Sequence, residues 1–156
     1  MILLDAVVGL VMHHDTDRHI EVSSPNRSVS AIRRAATVPP KWRAFASCVL
    51  HRESGATLDR PQSGAGAVNT AGSSAAGRWQ MLRPWQHGGA WNVQKRLERY
   101  GASHRQAKAV RVYLTRTPIH KWAGVWQDMA AFEALESTGW RHWANGDRCD
   151  RLAVTR

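Results

Sequence analysis

Cys48-Val49-Leu50-His51-Arg52-Glu53-Ser54-Gly55 is the stretch on which the reading of this chain turns. Pro39-Pro40 upstream blocks a helix, and Gly55 is placed to stop one, so the spacing predicts a helix over residues 41–53. At a helical pitch Trp42, Phe45, Ala46, Val49 and Glu53 share one face. The first four are apolar or small and point at a core. The fifth is an acid, and a carboxyl on a core-facing stripe loses water, which favours its uncharged form. Such a group at the rim of a cleft suits general acid chemistry. A solvated residue in the last helical turn is the plainer reading of the same position.

A chain of 156 residues fits one domain and is long enough to bury a core. Its net charge of +10, carried mostly by Arg, suits a polyanion such as nucleic acid, an anionic envelope polymer or an acidic membrane face. Charge alone selects none of them. Eight Trp are many for this length, and Trp serves both as core material and as a platform for sugar rings and bases. Cys48 and Cys149, if paired, would tie the chain's end to the helix carrying Glu53. In the chain-entropy model such a loop of about 100 residues is worth up to roughly 4.7 kcal/mol. No Cys-x-x-Cys occurs, and no His stands at finger spacing from either cysteine, so neither metal nor cofactor is expected. Residues 2–12 are apolar but short, broken by Asp5 and followed by no small-residue cleavage site. Neither a membrane span nor a standard signal peptide is expected, so work outside the cytoplasm would need another export route or a larger assembly.

Three parts are expected. Residues 1–40 read as a loosely structured, irregular arm with room for one short strand or helix. They carry a His13-His14-Asp15-Thr16-Asp17-Arg18-His19 cluster whose spacing fits a solvated segment better than a metal site. Residues 41–150 read as the folded domain, and residues 151–156 as a tail. Residues 56–80, rich in Gly, Ala, Ser, Asn and Thr, read as loop and small hairpin. A second helix is expected over residues 92–100, with His87 before Gly88-Gly89 in a loop. A third runs from the Ser103/Gln106 capping box to Leu114, and a fourth covers residues 124–136. The class is mainly α, an α+β arrangement with one glycine-rich excursion.

An acid at a helix end followed by a small β excursion can build a saccharide cleft. Asn69, Thr70 and Gln80 carry amide and hydroxyl groups suited to sugar contacts, and Gly77 lets the backbone approach closely. Glu53-Ser54-Gly55, Val68-Asn69-Thr70-Ala71-Gly72, Gly77-Arg78-Trp79-Gln80-Met81, the late Trp126-Gln127-Asp128 and the ending Trp140 to Cys149 follow in an order that resembles the lysozyme-like lytic transglycosylases. The resemblance is to the small actinobacterial and phage versions related to the resuscitation-promoting factor domain, and it covers residues 41–150. It implies a lysozyme-like fold, with helices around a catalytic cleft and a small β-hairpin. It further implies cleavage of the β-1,4 bond between N-acetylmuramic acid and N-acetylglucosamine in peptidoglycan, in the cell wall or from a phage virion. Glu53 matches the catalytic acid; Ser54, Asn69, Thr70 and Gln80 match substrate-contacting positions; Cys48–Cys149 matches the family's cysteine pair. The pattern departs in the four residues between Cys48 and Glu53, in the longer loop at 61–66, and in Trp79, where such domains often carry Tyr or Leu.

Trp79 and Trp85 divide evenly between stacking on sugar and packing in a core, whereas Trp122, Trp126, Trp140 and Trp143 read as core or tail packing. His51 and Arg52 fall off the Glu53 face and read as surface. Asp59, the nearest downstream acid, reads as a surface ion pair with Arg60. Two other readings stand. One is a basic nucleic-acid module using Arg105, Lys108 and Arg111. The other is a glycan-gripping structural protein of a phage particle, working with tail or virion proteins. No His-Glu-x-x-His occurs, which disfavours a zinc peptidase.

Overall fold

A computed structural model describes residues 25–154. The His/Asp cluster of the arm lies outside them. The described chain is mainly helical: α1 Pro25–Ala35, α2 Arg43–Ser54, α3 Gln86–Arg99, α4 His104–Arg116, α5 Gly124–Ser137 and α6 Arg148–Val154. Short 3-10 turns at Pro40–Trp42, Arg83–Trp85 and Ile119–Lys121 lead into α2, α3 and α5, and a fourth at Trp140–Trp143 follows α5. Pro40 and Pro84 sit in the first turn of theirs, where the missing N–H costs nothing.

α5 is the centre of the molecule. It is buried from Trp126 through Leu135 with no polar face, which is how a helix reads when packed on every side. α3 and α4 form an antiparallel pair, and α3 also lies along α5. The Ser103 capping box starts α4 as its sequence predicts: Gln106 N–H donates to Ser103 Oγ at 3.3 Å, and Ser103 N–H to Gln106 Oε1 at 3.2 Å. The arm contributes α1, whose Ala31 and Ala35 are fully buried. Arg96, buried in α3, donates to Ala35 O at 2.6 Å and Thr37 O at 3.0 Å, fastening the end of α1 to the core.

α3 begins at Gln86, six residues before the predicted start, and takes in Gly88-Gly89. This pair is a packing site and no break. A Cβ on Gly89 would stand 3.4 Å from the Trp122 ring and 3.7 Å from Ala130, so the small residue lets helices close up. His87 is therefore an exposed residue of the first helical turn, not of a loop.

Residues 56–82 are turns held by isolated bridges, with no strand among the described residues. Val68 bridges Ala76 and Ala76 bridges Met81, both antiparallel, so three passes of chain lie side by side. Glycines, turn residues and one-residue pairings are too few to extend a ladder. Cys48 in α2 and Cys149 in α6 form a disulfide, with Cα atoms 5.6 Å apart, across 101 residues of sequence.

Candidate functional site

Glu53 sits in the last turn of α2. Gly55 follows in the left-handed conformation (φ 66°) and donates its N–H to His51 O at 2.9 Å, closing the helix. The Glu53 side chain is 24% exposed, between the buried cleft-rim group and the solvated end residue that its position allows. Phe45, Ala46 and Val49 of that stripe are fully buried, and Trp42 is half-buried. The stripe thus reaches the surface at its last member.

Arg52 overturns its expected place away from the acid. Its Nε and Nη2 both donate to Glu53 Oε1, at 2.9 and 2.7 Å. The same guanidinium donates Nη1 to Asp147 Oδ2 at 2.9 Å and Nη2 to Trp143 O at 2.7 Å. Helical phase separates Arg52 from Glu53, but the side chain is long and the helix ends here. Acceptors from the chain's end then draw the guanidinium round the terminus. Burial alone would lower the Arg52 pKa; the hydrogen bonds and charges of Asp147 and Glu53 outweigh it, and the pKa is raised. The Arg52 bond is likewise the main reason that Asp147 is held below the usual carboxylate range. Asp147 Oδ1 also accepts the Cys149 N–H at 2.7 Å, capping the start of α6. Among the described residues nothing bonds to Glu53 Oε2.

The glycine-rich excursion is attached to this helix end. Ser54 Oγ donates to Arg78 O at 2.8 Å and accompanies Leu50 O at 3.3 Å, so Ser54 is a structural tie between α2 and the 77–81 turn. Gln127 holds the other side: its Oε1 accepts the Arg78 N–H at 2.7 Å, and its Nε2 donates to Ala65 O, Ile119 O and Trp122 O at 2.9–3.1 Å. A Cβ on Gly77 would collide with that amide, and Gly77 also needs φ 77°.

Trp79 is not a stacking platform. It is fully buried, packs edge-on to Phe132 at 5.8 Å and lies 5.4 Å from Trp143, and its Nε1–H donates to Asp128 Oδ1 at 2.8 Å. Trp85 is half-buried, 5.3 Å from the His142 ring and 6.1 Å from Trp143, and so lies near the Arg52 cluster through Trp143. Gln80 is half-buried at φ 46°, with its Nε2 donating to Gly77 O at 2.9 Å. Asn69 and Thr70 are exposed, and Asn69 Oδ1 accepts the Ala71 N–H at 2.8 Å in a local turn. Asp59 forms no ion pair with Arg60 among the described residues; the Thr57 hydroxyl is the main cause that lowers its pKa.

Sequence reasoning missed Asp147, Gln127 and the buried pair Arg78–Asp128. Arg78 Nε lies 3.0 Å from Asp128 Oδ1, while its Nη1 and Nη2 donate to Arg60 O and Thr57 O at 2.9 and 2.6 Å. Burial raises Asp128 to about 6 against the charge of Arg78 and the Trp79 bond, and burial lowers Arg78. Gln127-Asp128 was visible as an adjacent polar pair within the apolar run from Val125 to Phe132; nothing local marked Asp147. The basic stripe of α4 leaves Arg105 and Lys108 exposed but turns Arg111 onto the Trp91 ring, 3.9 Å from its centre. No group of three or more His, Cys, Asp or Glu that could hold a metal occurs among the described residues, and no helix among them is long and apolar enough to cross a membrane. No family model, curated protein or solved structure matches the chain.

Proposed function

We propose that the chain is a peptidoglycan-cleaving glycosidase of lysozyme-like fold, with Glu53 as its acid and the three-pass excursion in the place of the family's hairpin. One observation carries the reading. Glu53 is a partly exposed carboxylate at a helix end, and the residue after it is bonded to the glycine turn that contains Gly77 and Gln80.

Arg52 sets the chemistry. A general acid must bring a proton, and a carboxylate gripped by two N–H groups is an acceptor. Arg52 can release Glu53 and still donate Nη1 to Asp147 and Nη2 to Trp143 O, so opening the pair leaves only Nε to be met by water or ligand. A glycan seated at the helix end would displace the pair. Glu53 would then take up a proton and pass it to the glycosidic oxygen as the sugar-to-oxygen bond breaks. The leaving oxygen keeps the bonding electron pair. The Glu53 carboxylate would next accept the proton of the attacking hydroxyl. If that hydroxyl is the muramic C6 hydroxyl, the product is a 1,6-anhydro sugar; if it is water, the product has a reducing end.

The test is digestion of purified peptidoglycan by the wild type and by Glu53→Gln, with muropeptides read by mass spectrometry. The variant should lose about 10²- to 10⁴-fold in release rate. Anhydro products mean a lytic transglycosylase and reducing ends mean a muramidase; no product from the oxidised wild type sinks the enzyme reading. The closed Arg52–Glu53 pair also favours a second reading, a protein that grips glycan without cutting it. That reading predicts sedimentation with peptidoglycan and no release.

A further inference from the structure

An open cavity of about 880 Å³ lies between the turn after α1, the first half of α2, the loop at 57–59 and α5. Glu53 does not line it. Its apolar wall is Val38, Leu58 and Phe132, and Ser47 and Thr57 bring hydroxyls. Asp128 also lines it and is 4% exposed. Asp128 Oδ1 accepts the Trp79 Nε1–H and lies 3.0 Å from Arg78 Nε in an ion pair that lacks hydrogen-bond alignment. The side-chain contacts of Asp128 among the described residues are both to Oδ1, and the side chain keeps 6% exposure. A nine-tenths buried carboxylate on the cavity lining thus keeps one free acceptor.

The charges choose the ligand. Arg78 already balances Asp128, so a second cation on Oδ2 gains little, and an anion meets a carboxylate. Arg43 and Asp59, both exposed on the lining, oppose each other in sign. What fits is a neutral donor on a partly apolar body: a hydroxyl offered to Oδ2, an apolar ring face on the accessible Leu58 and Pro40, and further hydroxyls toward Ser47 and Thr57. The volume is ample for one or two six-membered sugar rings. We infer that this cavity is a binding site for a neutral, hydroxyl-rich ring ligand of sugar size, anchored by a donor to Asp128 Oδ2. The site goes beyond the cleavage reading: it uses other residues, and its test reads binding rather than bond breakage, so each can fail alone.

The experiment titrates N-acetylglucosamine and methyl β-glucoside into the isotope-labelled full chain, with glucosamine as the ammonium control, and follows backbone amide shifts. Both neutral probes should move the amides of residues 43–47, 57–59 and 128–132, and glucosamine should bind more weakly. Ser47→Phe fills the opening from an exposed helical position; it should keep the wild-type melting temperature and weaken both neutral probes by at least about tenfold. Asp128→Asn replaces the free acceptor with an amide donor and should weaken them similarly. If the unpaired Arg78 unfolds that variant, Ser47→Phe decides. The inference falls if neither neutral probe moves these amides, if Ser47→Phe binds as well as wild type, or if glucosamine binds tighter than the neutral sugars.

Discussion

At the scale of single residues, the tightest constraints are contacts with no slack. Gly124 opens α5 against the Pro61 carbonyl, and a Cβ there would overlap that oxygen. Neither a helix start nor a loop backbone can yield like a flexible side chain. Gly124→Ala should therefore lower stability by about 2 kcal/mol or more, read as a reduced urea midpoint with unchanged slope. Asp128 gives a pH signature. Its carboxyl sits near pKa 6 in the fold against an ordinary 3.8, so the folded state holds the proton more tightly. The stability from protonated Asp128 is fully present below about 3.8 and is lost as pH rises through about 6. Asp147 and Asp59, both lowered, act in the opposite sense, losing their contribution as pH falls below the ordinary carboxylate range. Subtracting the unfolding free energy of Asp128→Asn from that of wild type isolates the first effect. The difference should fall between pH 4 and 6 by up to about 3 kcal/mol; a flat difference refutes the assignment.

At the scale of elements, the junction of α2 with α6 depends on the chain's end. The disulfide, the Asp147 cap and the Arg52 bonds to Asp147 and Trp143 O all act within a few residues of Glu53. With Cys48 and Cys149 both replaced by Ser, the loop of 101 residues opens in the unfolded state. The loss should approach about 4.7 kcal/mol, measured by chemical denaturation against the oxidised wild type. The elements also show which patterns can be read without a fold. The Ser103 box and the Gly55 stop are local hydrogen-bond chemistry, and both stand where their residues place them. Gly88-Gly89 reads locally as a break, yet lies within α3, because contact with Trp122 and Ala130 outweighs the helix cost of glycine.

At the scale of the whole molecule, one apolar cluster joins α1 through α6. It runs from Ala35 through Phe45, Trp79, Val93 and Leu114 to Phe132, Trp143 and Ala153. A core shared by every helix should unfold as a unit. Far-ultraviolet circular dichroism and Trp fluorescence should give coincident urea transitions, since buried Trp79, Trp122, Trp126 and Trp143 report on the same core. Two separated transitions would mean that the helical hub and the glycine-rich excursion melt independently.

By itself the sequence determined what depends on neighbours in the chain: a mainly helical class, the helix carrying Glu53, its stop, the capping box and the buried stripe Phe45, Ala46 and Val49. Those are properties of spacing and of backbone hydrogen bonding, and they need no partner from far away. Tertiary structure alone decided the surroundings of the acid. Arg52 is one residue from Glu53 and reads as facing elsewhere; it turns inward because Trp143 and Asp147 supply acceptors from more than ninety residues along the chain. Trp79 stands between two readings in sequence, and becomes core because Phe132, Trp143 and Asp128 meet around it from distant segments. An aromatic ring or a long cation takes its place from whatever the fold brings within a few ångströms, and that is a property of packing rather than of period.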